Sequence, residues 1–360
     1  MRRLVWGFGA ALALAGACGG STTDVADGGD AGGPSDAGKG DVVGQPPPPP
    51  SDGSVPPSSV TTFALHTLYL GESDRQNNPS TTAWKDFGVN IDGLVTTKNS
   101  TDVCMLAKGA PSANQVDGNN GIDNAWGAIL LPILQTAASM PTPSLVATDS
   151  IDTGQWTMQL QIAGLSSDPQ QSATGLVAQI FSSGQYDDGT PAFDSTTDWP
   201  VLSTSVNDGQ TIASGSVASF KSAYVNDGTF VSGPGPDPLV LNINVNGIAV
   251  SFNVHDAVVT FQHSAPTELT NGTIAGVLDT QEVVTTMKSI AGQFSTALCG
   301  AAFDGIAQQI EQAADILDDG TNHAGTPCTG ISIGLGFDAT EVANPTKVVP
   351  PPSPPPDPCQ

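Results

Sequence analysis

The stretch Asp117-Gly118-Asn119-Asn120-Gly121-Ile122-Asp123-Asn124 is where this chain concentrates residues able to do chemistry. Oxygen-bearing side chains recur at every second position, and calcium takes an oxygen-only, flexible shell. Asp117, Asn119 and Asp123 would stand at places 1, 3 and 7 of a calcium loop, with Gly121 letting a backbone carbonyl turn inward. The EF-hand pattern is not met, because Ile122 stands where that loop has its glycine and Ala128 where it has a bidentate glutamate. The same residues also spell an Asx-rich turn in which Asp123 or Asn124 caps the following helix. Further acidic groups that could complete a calcium shell are Glu72-Ser73-Asp74, Asn90-Ile91-Asp92, Asp187-Asp188 and Asp315 with Asp318-Asp319.

Catalytic constellations are absent from the sequence. There is no G-x-S-x-G elbow, no H-E-x-x-H, no phosphate loop and no dinucleotide fingerprint after a strand. His255 precedes Asp256 on a strand, which points the two side chains to opposite faces and makes a poor proton relay; His66 and His263 read as strand histidines. Carboxylates are too plentiful to mark a glycosidase pair, which needs two at a defined separation.

Four cysteines follow Cys18, and four allow three pairings. The preferred bridge is Cys299 to Cys328, closing a loop worth about 3 to 4 kcal/mol by chain entropy. Cys104 to Cys299 is the rival, and Cys359, in a proline-rich tail, is expected to be unpaired or loosely joined to Cys104. A zinc site is not expected, since these cysteines are widely spaced and only His323, near Cys328, lies at a suitable distance.

These residues must be placed by a β-rich frame. Leu239, Leu241, Ile243 and Val245 alternate with polar residues, Asn246-Gly247 offers a type I′ turn, and Ile248, Val250, Phe252 and Val254 alternate again, so this is a hairpin. Further strands are expected at Thr62–Leu70, Phe87–Thr96, Trp156–Ile162, Leu176–Phe181, Val217–Val225, Ala257–Gln262 and Thr273–Leu278, with Asn-Asp-Gly turns at 207–209 and 226–228. Helices are expected from Asp123 to Ser139, kinked or shifted by Pro132, from Asp279 through Leu298 behind an Asp279/Glu282 capping pair, and from Phe303 to Leu317. Ile331, Ile333, Leu335 and Phe337 alternate with Ser332, Gly334 and Gly336, giving a closing strand whose glycine face is open to close packing. Strands, then a helix pair, then a strand predict an α+β fold: a large, mostly antiparallel, sandwich-like β-rich domain with a few packed helices.

Domain limits follow from composition. Met1–Ala17 has Arg2 and Arg3, an apolar run from Leu4 to Ala15 and a small-residue site ending at Ala17, which is a secretory signal too short to span a bilayer. Cys18-Gly19-Gly20 directly after it resembles the bacterial lipoprotein signal, with Leu14 one place earlier than that family prefers. The resemblance implies lipidation of Cys18, which becomes the mature N-terminus, and an outer-membrane attachment through acyl chains. Residues 18–59 are expected to be a disordered Gly/Asp/Pro-rich linker, 60–342 the folded domain and 343–360 a disordered proline-rich tail.

The full chain has 10 basic and 35 acidic residues; losing Arg2 and Arg3 leaves 8 against 35, a mature charge of −27. Such a charge repels nucleic acid and anionic headgroups. Trp84–Gly93, Asp117–Gly127 and Ile331–Phe337 together resemble a pattern of secreted lipoproteins of myxobacteria, which implies a periplasmic or surface address and no particular reaction. The expectation is a lipid-anchored, non-enzymatic envelope module, either structural or binding a glycan or protein ligand, with or without structural calcium. The alternative is an exported carbohydrate-acting hydrolase using carboxylates. Exposed Trp84, Trp156 and Trp199 would favour glycan binding, and their burial would weaken it.

Overall fold

The computed structural model describes residues 44–140, 142–236, 238–245, 247–353 and 358–359. The signal segment, Cys18 and the first half of the expected linker lie outside the described residues, as does Asn246 of the hairpin turn.

In chain order the elements are β1 (Val60–Tyr69), α1 (Leu131–Ala138), α2 (Pro143–Asp152), β2 (Met158–Ala163), β3 (Ala173–Ser182), β4 (Val201–Leu202), β5 (Ala218–Asn226) and β6 (Thr229–Val231). They continue with β7 (Leu239–Val245), β8 (Ile248–Ala265), β9 (Glu268–Asp279), α3 (Thr280–Phe294), α4 (Asp304–Glu311), β10 (Gly330–Val342) and β11 (Val348–Val349). The antiparallel α+β frame is the expected one, and the sandwich-like form is realised by a single sheet, ordered β6-β5-β3-β2-β1-β10-β9-β8-β7. Its ends meet, because β6 also pairs antiparallel with β8, Phe230 opposite Phe261. Strand β8 is long enough to serve both neighbours on one edge: residues 248–254 take β7 and 260–262 take β6. The hairpin β7–β8 therefore projects beyond the closed ring.

One face of the strands feeds a shared apolar core that includes Phe63, Leu160, Leu176, Phe220, Phe261, Ile274 and Phe337. Burying an aliphatic or aromatic side chain of this size stabilises by about 1.5–3 kcal/mol. The other face of β1 to β3 is covered by residues 183–216, which bury Trp199 against Ala64 and Val342. The Asp227-Gly228 turn has positive φ at both residues, 48° and 74°, as a two-residue hairpin loop requires.

Helix α3 starts where its capping signal falls: the Asp279 carboxylate accepts from the Gln281 and Glu282 N–H groups, both at 2.8 Å. Around Pro132 the expected single helix becomes a π-type turn, Trp126–Leu130, running into α1. Proline has no N–H to give an α-type bond, and the wider turn absorbs the gap. Helix α2 was not expected from the sequence. It covers the edge of β1 beyond the end of β2, with Ser144 Oγ accepting from Leu70 N–H at 2.8 Å and Thr148 Oγ1 from Leu68 N–H at 3.2 Å.

Several expectations are corrected. The segment Phe87–Thr96 is an irregular loop, because its backbone donors are taken by side chains: Asp123 binds the Ile91 N–H and Asn90 Oδ1 the Gly93 N–H. Helix α4 ends at Glu311, well before Leu317, and Ile316 instead bridges to Gly330. The described part of the expected linker is seated on the sheet: Tyr224 Oη donates to the Pro47 carbonyl at 2.6 Å, Asn226 Nδ2 to that of Pro48 at 2.9 Å, and Ser54 bridges to Ala173. Prolines lack donors, yet their carbonyls remain strong acceptors. Within the expected tail, β11 pairs in parallel with β4.

Cys299 does not pair with Cys328, nor with Cys104. The bridges are Cys104–Cys328 and Cys299–Cys359, with Cα separations of 5.1 and 5.2 Å. Backbone pairing explains the first: Met105 N–H donates to Thr326 O at 2.8 Å and Cys328 N–H to Met105 O at 2.9 Å, which lays the loop bearing Cys104 alongside Cys328. Cys299 is left facing the side of α3 where Cys359 arrives.

Candidate functional site

Strand β1 pairs with β10 only from Gly336 onward, so the β10 edge at Ser332 and Gly334 needs other partners. Side chains supply them. Asn124, 2 % exposed, accepts from the Gly334 N–H at 3.1 Å and donates to the Gly334 carbonyl at 3.0 Å. It also donates to the Trp84 and Phe87 carbonyls and accepts from the Gly127 N–H, which caps the turn entering α1. Asp315 accepts from the Ser332 N–H at 2.9 Å and from its hydroxyl at 2.6 Å, while Ser332 Oγ accepts from the Ala125 N–H. Capping by Asn124 is one of the two readings the loop sequence offers.

Around this edge four carboxylates from three segments interact: Asp92, the pair Asp117 and Asp123 of one loop, and Asp315. Asp123 accepts from the Ile91 N–H at 2.6 Å, Asp117 from the Thr96 N–H, and Asp92 from the Leu94 N–H and Asn322 Nδ2. Burial, followed by the charges of Asp92, Asp315 and Asp117, pushes Asp123 up to about 9. Asp117 is raised to about 7 by burial and Asp92, against the pull of the Thr96 N–H. Asp315 is also raised to about 7, by burial first, with the Ser332 bonds opposing. These groups hold protons far above the ordinary carboxylate range. They brace loops 90–96 and 315–322 against β10.

The four residues of the expected calcium loop are not gathered around one point. Asn119 is exposed and donates to Asp86 Oδ1 at 2.6 Å. Gly121 adopts φ 76°, and a Cβ there would lie 2.6 Å from both Asn90 Nδ2 and Leu94 O, so close approach of loop 90–94 accounts for the glycine. Among the described residues no group of three or more His, Cys, Asp or Glu side chains is placed to hold a metal ion. Of the other acidic groups, Asp92 and Asp315 join the cluster. Glu72 instead binds the N–H and hydroxyl of Ser144, Asp74 closes its own turn, Asp187 meets Lys347 and Asp318 accepts from Thr329.

The histidines are dispersed: His255 lies 3.9 Å from Glu282, His66 bonds Thr67, and His263 is buried edge-on to Phe63. Trp156 and Trp199 are 6 % and 0 % exposed, and Trp84 is half-buried under the Lys85 ammonium, so two of the three expected sugar platforms are inside the protein.

A second feature escaped sequence reasoning. Between the projecting β7–β8 hairpin and helices α1, α3 and α4 lies a half-open cleft with a cavity volume of about 80 Å³. Ile243, Val250 and Phe252 form its floor, Leu131 and Leu134 one wall, and Met287, Phe294 and Leu298 the other. Gln135 is the one lining side chain with an amide; the Trp126 indole N–H is bonded to the Leu70 carbonyl at 3.1 Å and its ring stands edge-on to Phe252. Each apolar stripe was visible in the sequence, but their facing one another across a gap was not.

No family model matches the chain, and no curated protein or solved structure matches it.

Proposed function

We propose that this chain is a non-enzymatic binding module of the cell envelope, anchored by lipid at Cys18, that takes an apolar alkyl or acyl ligand in the cleft under the β7–β8 hairpin. The observation that carries the reading is the cleft itself, concave and lined almost wholly by aliphatic and aromatic side chains. Two disulfides suit an oxidising compartment outside the cytoplasm. The carboxylate-hydrolase alternative has less to stand on, since Asp117, Asp123 and Asp315 each commit an oxygen to the donors of the loops they brace. Calorimetric titration of the full chain carrying Cys18→Ser with 1-octanol tests the proposal. Saturable heat that falls at least tenfold in Ala137→Phe, which fills the cleft, supports it; no saturable heat refutes it. Transfer of the chain from a detergent phase to water on Cys18→Ser tests the anchor.

Structural calcium is the second reading. What favours it is the meeting of four carboxyl groups, Asp92, Asp117, Asp123 and Asp315, whose protons a cation could replace. A rise in melting temperature with calcium that chelation reverses would support it; an unchanged melting temperature would leave protons as the neutralising species.

A further inference from the structure

Met287, Ala291, Phe294, Leu298, Phe303 and Ile306 form one wall of the apolar cleft from one continuous stretch of chain. Between α3 and α4 that stretch holds two short 3-10 turns, Thr296–Leu298 and Gly300–Phe303, which meet at Cys299. Such turns have poorer hydrogen-bond geometry than an α-helix. The flanking Ser295 and Cys299 are extended, with φ of −163° and −74°. The floor, by contrast, is the β7–β8 ladder, paired continuously from Leu239 with Val254 to Val245 with Ile248. Segment 295–303 is thus an irregular part of that wall.

Cys359 holds this segment. It bonds Cys299 and lies against α3 at Gly292, where a Cβ would come within 2.5 Å of its sulfur and 3.2 Å of Pro358 Cδ. Pro358 and Cys359 are thus seated against α3, and Cys359 clasps the turn that follows it. A glycine at 292 is what lets it sit so close.

The cavity, about 80 Å³, is roughly half the volume of an apolar cavity known to hold a benzene ring, about 150 Å³. A few methylene groups fill it, and a long chain is buried along its whole length only when a wall moves. We infer that the Cys299–Cys359 clasp sets the length of alkyl chain the cleft admits: short chains in the chain that carries the clasp, long chains in one that lacks its two cysteines. The inference rests on the apolar-ligand reading above.

The test compares the full Cys18→Ser chain with two further variants of it, Cys299→Ser/Cys359→Ser and Gly292→Ala. The second keeps both cysteines and improves helix propensity while pushing the tail off α3. Hydrogen exchange over 292–306 is read without ligand, and calorimetry with 1-alkanols from hexanol to dodecanol gives the chain-length preference. The expected result is at least tenfold faster exchange over 295–303 in both variants, and a best ligand that moves from hexanol or octanol to dodecanol with at least tenfold tighter binding. Alkanol binding with the same length preference in all three forms, or unchanged exchange, would overturn the clasp alone. Absence of alkanol binding in every form would overturn the apolar-ligand reading and the clasp with it.

Discussion

The side-chain amide of Asn124 pairs with both backbone groups of Gly334, its oxygen accepting the N–H and its nitrogen donating to the carbonyl. It occupies the place of a neighbouring strand. Where β1 stops, Asn124 and Asp315 continue the ladder of β10 with side chains, and this ties the 84–87 loop, the start of α1 and the acidic cluster to the sheet.

Replacing Asn124 by Leu keeps the volume but strands the Gly334 and Gly127 N–H groups and the carbonyls of Phe87 and Gly334, while the Trp84 carbonyl keeps the Phe87 N–H. Unsatisfied buried groups of this kind cost about 1–3 kcal/mol each, with partial relief by water, so a loss of about 3–5 kcal/mol is expected in urea unfolding. A loss below about 1 kcal/mol would show that the ladder extension carries little.

The acidic cluster makes stability depend on pH in an unusual direction. Asp123 titrates near 9 when folded against an ordinary 3.8, so between these limits the folded protein keeps a proton that the unfolded chain has released. This contribution is complete below about pH 4 and fades as pH rises through about 9; Asp117 and Asp315 add to the fall up to about pH 7. Asp123→Asn, which still accepts from Ile91, is expected to remove about 1.4 kcal/mol per pH unit of slope and to exceed the parent in stability at pH 8 to 9. Urea midpoints at three pH values decide it, and parallel slopes would refute the burial account.

Gly334 and Gly336 on β10 make room for Phe87. A Cβ at Gly334 would overlap the Phe87 carbonyl, and one at Gly336 the Phe87 ring. Gly334→Ala is therefore expected to lower stability by about 2–3 kcal/mol through overpacking. Gly305→Ala, in α4 with open space around it, is expected to raise stability by up to about 1 kcal/mol. Equal effects in thermal unfolding would sink the packing argument.

Peptide mapping without reduction should yield Cys104 linked to Cys328 and Cys299 linked to Cys359. The sequence separations, 224 and 60, correspond to about 5 and about 4 kcal/mol of loop entropy, so serine at the first pair should lower the melting temperature more. Recovery of a Cys299–Cys328 peptide would contradict the fold around β10.

Local patterns carried much of this fold. Strict alternation placed the β7–β8 hairpin and β10, the Asp279 cap placed α3, and glycine periodicity marked the face that Phe87 needs. The acidic loop was legible as a chemical oddity and Asn124 as a cap. Invisible to the sequence were relations across distance: that Asp92 and Asp315 would meet Asp117 and Asp123, that Cys359 would reach α3, and that two apolar stripes would leave a cleft. The loop at 87–96 misled because its alternating residues imitate a strand while its donors serve Asp123 and Asn90. Helix α2 was missed because its short, serine-rich sequence has a weak apolar stripe, and its role is to cover an edge.

The meeting of β6 and β8 on one long strand also bears on how copies of this protein meet one another. Where β6 joins β8 the sheet offers a neighbouring molecule no vacant strand edge, and α2 lies beside the outlying strand β7. At that junction strand-by-strand addition between copies, the usual hazard of β-rich proteins, is closed off, and the exposure of the sheet to such pairing shifts to β7, its terminal strand.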